Sequence, residues 1–158
     1  MNSAASCPDP THQPYATLFL APEAGTEMRR RARRAYPQEC CGFLLGTSGK
    51  VAAIRPAPNS LSGDRRFGFH IDAAEVRDAW LSARRQNMDI LGTYHSHPGG
   101  DVRPSEQDRQ SGWELQVIAS IAPPFATHDG DVLSIHLNAW RTRLAEIREV
   151  KLVEGDAS

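Results

Sequence analysis

The apolar positions change period several times along the chain, and each change marks an element. "ATLFLA" (Ala16–Ala21) is a short continuous apolar run of strand length. Pro22 suits the first position of a helix, and Met28, Ala32 and Ala35 or Tyr36 then recur at helical spacing. This predicts a helix that runs to about Tyr36 and stops before Pro37. "ECCGFLLGT" (Glu39–Thr47) reads as a buried strand, "SGK" as a turn, and "VAAIRP" (Val51–Pro56) as the returning strand. "RRFGFHI" (Arg65–Ile71) alternates and predicts another strand. Asp72 and Glu75 have the spacing of an N-cap and its partner, and Val76, Trp80, Ala83 and Asn87 follow as a helical stripe.

"DILGTYH" (Asp89–His95) predicts a strand that ends at a pair of histidines. After a loop containing Pro98, Gly99 and Gly100, Ser105 and Asp108 of "SEQD" match a capping box that opens a short helix. "LQVIASI", "DVLSIHLNAW" and "RLAEIREVKLV" predict three further strands, joined in part by a turn around "HDGD". There is no internal repeat. The expected architecture is α/β or α+β: a mixed β-sheet flanked by two main helices, with the short helix carrying a candidate ligand. The expected organisation is a tail over 1–15, one domain over 16–153 and a short tail over 154–158.

Composition narrows the classes of partner. The chain has 158 residues, 40% of them hydrophobic and 23% charged, with a formal net charge of −1. It is long enough for one real core, and nothing draws it as a whole toward nucleic acid or an anionic membrane. Arginine does cluster in "MRRRARRAYP", but helical spacing places those side chains on solvated faces. No apolar run reaches the roughly 18 residues of a membrane span. The start, "MNSAASCPDPTHQP", lacks the basic and apolar stretches of a secretory signal. Cys7 lies in the expected tail, and Cys40 and Cys41 are adjacent, so no disulfide framework is suggested and a reducing cytoplasm is expected.

The histidine stretch carries the chemistry. On a strand, His95 and His97 project from one face and Ser96 from the other. Asp108 sits in the first turn of the next helix, where the glycine- and proline-rich loop lets the chain fold back. Two imidazoles and a carboxylate make a three-ligand set for a divalent metal such as Zn2+, with a fourth position open for water. The same residues also read as a strand, a turn and a capped helix with no metal at all. Glu39 heads an apolar strand, where a carboxylate is costly unless it has a task. Cys41 shares its face and is expected to be a small core residue, with Cys40 on the opposite side. His70, His128 and His136 are left out of the ligand set. Trp80, Trp113 and Trp140 are expected in core or edge packing, Trp113 close enough to the short helix to wall the site.

"HSHPGGDVRPSEQD" (His95–Asp108) resembles the JAMM, or MPN-plus, metallopeptidase signature: His-Ser/Thr-His, seven residues, Ser, two residues, Asp. "YPQECCGFLLG" is similar to the Glu-x-Cys-Gly stretch of bacterial members, with Glu39, Cys41 and Gly42 in place. The likeness covers roughly Leu18 to Val153. It implies a cytidine-deaminase-like JAMM/MPN fold and a zinc held by His95, His97 and Asp108. It further implies Glu39 as general base and then acid, and Ser105 as a stabiliser of the oxyanion. The activity implied is hydrolysis of a peptide or isopeptide bond at the Gly-Gly tail of a ubiquitin-like protein. Small stand-alone bacterial members suggest a sulfur-carrier protein of the ThiS or MoaD kind, from which cysteine or an extension is released; a homodimer is among the assemblies the likeness allows. Two other readings stand beside it, a zinc hydrolase of another small amide or peptide and a non-catalytic interaction module. A zinc deaminase would need a Pro-Cys-x-x-Cys element after the histidines, and none follows.

Overall fold

The computed structural model describes residues 16–122, 134–143 and 145–156. The expected tail at 1–15, with Cys7, and the turn around "HDGD", with His128, lie outside these residues. Ten elements follow in chain order: β1 (Thr17–Leu20), α1 (Pro22–Ala35), β2 (Cys41–Thr47), β3 (Lys50–Ala57), α2 (Ala73–Arg85), β4 (Asp89–His97), α3 (Glu106–Gln110), β5 (Leu115–Ala122), β6 (Ser134–Arg143) and β7 (Glu146–Glu154). The strands form one mixed sheet in the order β1-β3-β2-β4-β5-β6-β7, closed into a barrel by parallel pairing of β1 with β7. The β4–β5 and β1–β3 pairs are also parallel, and the remaining pairs are antiparallel.

Each face of the sheet takes one main helix. Leu44 and Tyr94 lie in a cluster with Leu18, Leu20, Ala24 and Met28 on the α1 side. Phe43 and Leu45, offset by one residue, pack with Ala79 and Ala83 of α2. This is the period-2 alternation of a strand covered on both sides, and it explains why β2 reads as unbroken apolar sequence. Gly42 is required by this packing, because a Cβ there would come 2.6 Å from Cε1 of Tyr94 and 2.4 Å from the carbonyl of Arg55.

Four local expectations are corrected. "RRFGFHI" forms a turn followed by irregular chain, not a strand. Its backbone bonds to side chains instead: Asp64 Oδ1 accepts from Arg66 N, and Asn59 Oδ1 accepts from His70 N. Phe67 is accordingly 74% exposed. In α2, Asp72 does occupy the N-cap, but its side chain makes no capping bond and accepts from Ser60 Oγ at 3.0 Å. The buried stripe is Ala79 and Ala83, small residues that let α2 lie close to the sheet. Trp80, expected in packing, is 52% exposed, and Asn87 lies beyond the helix with a φ of 53°. Trp140 is buried, and Trp113 packs edge-on against Phe43 with ring centroids 5.9 Å apart.

Candidate metal centre

β4 is buried through its C-terminal end, and His95 and His97 are its last two same-face residues. The parallel β4–β5 pairing requires a crossover, and α3 is that crossover. The capping box predicted at its start is present: Ser105 Oγ accepts from Asp108 N at 3.1 Å, and Asp108 Oδ2 accepts from Ser105 N at 2.7 Å. The box thereby fixes the Asp108 carboxylate, which is buried against the histidines.

The three side chains converge on one point. His95 Nε2 and His97 Nε2 are 3.0 Å apart, and each is 3.2 Å from Asp108 Oδ2. Donors about 2.0–2.1 Å from a tetrahedral ion sit roughly 3.3 Å from one another, so this triangle already has close to the required size. His97 Nδ1 lies 2.8 Å from the carbonyl oxygen of Asp101. A carbonyl only accepts, so Nδ1 carries a proton; the charged ring also donates from Nε2 to Asp108, and the neutral ring turns its Nε2 lone pair to the triangle. Among the described residues, this is the one group of three or more His, Cys, Asp or Glu side chains able to share an ion. His70 and His136 are exposed and stand apart from it.

The electrostatics are those of a buried polar cluster. Burial works to raise the Asp108 carboxyl, but hydrogen bonds from His95 and His97 outweigh it and hold the group well below the usual carboxylate range. Burial lowers His95, against the pull of Asp108. His97 is also pressed down by burial, yet its bonds to Asp108 and to the Asp101 carbonyl leave it raised. Glu39 is 6% exposed, and its Oε2 is buried with no hydrogen-bond partner. Burial first, then the nearby Asp108 charge, push it up to about 8, with His97 opposing. An orphaned carboxyl oxygen beside three convergent donors fits a site completed by an ion and a water, and the donor chemistry suits a divalent metal.

Glu39 reaches this place through sheet register. Cys41 is opposite His95 in the antiparallel β2–β4 pair, so Glu39, two residues before Cys41, comes to the same face at the strand entrance. Cys41 is buried there, its thiol 3.6 Å from the Ala57 carbonyl and pushed up to about 12 by burial, and it is no member of the ligand group. Three supporting residues escaped sequence reading. Phe69 covers His95 with ring centroids 4.7 Å apart. Ser120 Oγ donates to the Asp101 carbonyl that His97 also uses. Gln116 Nε2 donates to the Asp108 carbonyl at 2.9 Å, bracing α3 from β5. A polar residue inside an apolar strand was a signal for Ser120 and Gln116; nothing local marked Phe69.

The chain matches the family described as prokaryotic homologs of the JAB domain over residues 22–142, and it belongs to that family. It is 33% identical over 115 residues to a desampylase of Pyrococcus furiosus, covering 73% of this chain and 75% of that protein. It is 27% identical over 93 residues to a probable TtuB-protein conjugate cleaving protease of Thermus thermophilus, covering 58% of this chain and 62% of the relative. A solution structure of a protein from Salinibacter ruber superposes with a TM-score of 0.62 at 32% identity, covering 88% of this chain and 92% of that one. The protein is therefore a hydrolase of the JAMM type with a JAB/MPN fold. No helix among the described residues is long and apolar enough to cross a membrane.

Proposed function

We propose that the protein is a zinc-dependent isopeptidase that cuts the amide bond at the C-terminal Gly-Gly tail of a ubiquitin-like sulfur-carrier protein, working in the cytoplasm. The observation that carries this reading is the His95–His97–Asp108 triangle beside the unpartnered buried oxygen of Glu39. A zinc ion held by those three side chains supplies Lewis acidity at neutral pH. Glu39 takes the proton of the attacking water as its oxygen bonds to the scissile carbonyl carbon. The same carboxyl then delivers that proton to the amine nitrogen as the C–N bond breaks. An environment that lifts Glu39 toward neutrality suits both steps. Ser105 accepts a bond from Asp108 N, which leaves its own O–H free to donate to the developing oxyanion.

Two observations support the substrate class. One relative is named for cleaving protein conjugates and another as a desampylase. In addition, β3 pairs with β2 up to Ala57 but with β1 only at Lys50 and Val51. Among the described residues, its Ala52–Ala57 stretch thus has one ladder side without a strand, and it ends beside Cys41 and the site. A glycine tail without side chains is suited to lie there as an added strand.

The test is intact-mass spectrometry of two probes incubated with zinc-loaded protein and with Glu39→Ala. One is a sulfur carrier bearing a C-terminal cysteine after Gly-Gly, the other the same carrier joined through Gly-Gly to a lysine side chain. Cleavage of either probe after Gly-Gly by the unmodified protein alone is the expected result. With zinc bound, an intact pair of probes rejects the substrate class, and turnover by Glu39→Ala rejects the role of Glu39.

A further inference from the structure

The loop between β3 and α2 has no regular structure, yet it contacts Glu39, Cys41 and His95. Glu39 precedes the first ladder pair of β2, so no strand satisfies its peptide groups. The loop does so instead: Glu39 N donates to the Arg65 carbonyl at 2.8 Å, and the Glu39 carbonyl accepts from Asn59 Nδ2 at 3.0 Å. The same amide nitrogen donates to the Gly68 carbonyl, also at 3.0 Å. Asn59 Oδ1 accepts from Leu61 N at 3.1 Å and from His70 N at 3.2 Å. All four hydrogen-bonding positions of one side-chain amide are filled by backbone, two carbonyls on one side and two N–H groups on the other. That pattern also fixes which end of the amide is oxygen. The loop so pinned carries Phe69 onto His95, and Gly68 packs where a Cβ would come 2.8 Å from Gln107 Oε1 next to Asp108.

We propose that Asn59 is a positioning residue that holds the Glu39 carboxyl in its working place by tying the Glu39 peptide to the 59–70 loop. The assignment rests on Glu39 being the general base. With its four positions so filled, the Asn59 amide makes no hydrogen bond to the ligand triangle or to Cys41. Cys40, next to Glu39 in the chain, is held separately: its N donates to Ser96 Oγ at 2.8 Å and its carbonyl accepts from Ser96 N at 3.0 Å. Losing Asn59 therefore frees Glu39 while β2, β4 and the three ligands stay in place. Asparagine alone serves here: aspartate keeps the two acceptor bonds but sets a carboxylate oxygen against the carbonyls of Glu39 and Gly68.

The experiment uses the full chain, zinc-loaded, as wild type, Asn59→Asp and Asn59→Ala. It reads zinc stoichiometry, kcat and KM on the Gly-Gly–lysine conjugate, and amide hydrogen exchange. We expect stoichiometric zinc in both variants and KM within about threefold of wild type, with kcat per zinc-loaded molecule lower by roughly tenfold to a hundredfold. Exchange at the Glu39 amide and across 61–70 should rise at least about tenfold while the β4 and β5 amides stay protected. A purely structural role would lower the melting temperature and leave kcat per folded, loaded molecule unchanged. A kcat within about threefold of wild type in Asn59→Asp, or unchanged exchange at Glu39, overturns the inference. If wild type cleaves no conjugate, the proposed substrate class falls, and the exchange data alone decide whether Asn59 holds Glu39. Should Asn59→Ala not fold, Asn59→Asp with the same readings decides.

Discussion

Glu39 should make the metal-free protein lose stability as the pH rises, and Glu39→Gln should remove that loss. An acid whose folded pKa lies above its unfolded value binds more protons folded than unfolded, so stability falls with rising pH between the two values. For Glu39 the window runs from an ordinary 4.5 to about 8. At about 1.4 kcal/mol per pH unit, the ceiling on the loss is near 5 kcal/mol. Relaxation and water entry reduce it, because the effective dielectric around even buried groups is high, and about 2–3 kcal/mol is the working figure. For a chain of this size that corresponds to roughly 5–10 °C in melting temperature.

The assay is thermal unfolding in chelator from pH 4.5 to pH 9, wild type against Glu39→Gln. Glutamine is neutral throughout, so groups that titrate independently of Glu39 cancel in the difference; His97 and Asp108 feel its charge, and their response is part of the same working figure. The two proteins should melt together near pH 4.5 and separate progressively, with the glutamine variant more stable by the figure above at pH 8.5. Zinc should flatten the slope of the wild type, since a nearby cation favours the ionised carboxylate. Parallel pH profiles in chelator, or a glutamine variant less stable at pH 8.5, would refute the burial argument for Glu39.

Asp108→Asn should abolish zinc-dependent stabilisation: wild type at a zinc concentration about 100 times its Kd gains about 2.7 kcal/mol, and the variant should gain nothing measurable by scanning calorimetry. Gly42→Ala should cost at least about 1–3 kcal/mol, because the new methyl meets the Arg55 carbonyl at 2.4 Å and the Tyr94 ring; a denaturant midpoint equal to wild type would deny that close approach. Arg29 ties α1 to the end of β7 through a two-bond pair with Glu154, which holds the Glu154 carboxyl below its ordinary range. Its contribution is present above the ordinary glutamate pKa and lost as pH falls through the lowered folded value. With side chains 26% and 37% exposed, the pair is worth no more than about 1 kcal/mol, so Glu154→Gln should lower stability slightly at pH 7, and by less in high salt or as acid protonates Glu154.

Where sequence reading succeeded, the determinant was local. Ser105 and Asp108 are three residues apart and meet in one helical turn, and His95 and His97 share a face by strand geometry alone. Glu39 stood out because a carboxylate at the head of an apolar run is costly, and the structure does bury it there. The failures were non-local. "RRFGFHI" alternates like a strand, but the side chains of Asn59 and Asp64 claim its backbone, and no spacing rule announces that. Trp80 belongs to the helical stripe by period, yet the small residues Ala79 and Ala83 take the contact with the sheet. The closing of the barrel depends on β1 meeting β7, the first strand and the last, and no short pattern in either specifies the other.

The site is a product of those long-range pairings more than of its motif. Antiparallel β2 and β4 bring Cys41 opposite His95, and so deliver Glu39 to the histidine face from far away in sequence. Parallel β4 and β5 force α3 across the strand ends, and its capping box turns Asp108 onto the same two imidazoles. The result is one carboxyl held ionised by two histidines and a second, close by, held toward neutrality by burial and by the first. Those opposite environments suit the proposed roles, a proton-transferring Glu39 next to a cation-binding Asp108. A cation at the triangle would offset the charge of Asp108 and draw the proton of Glu39 toward release. The role proposed for Glu39 needs that balance: a carboxyl able both to take a proton and to give it back.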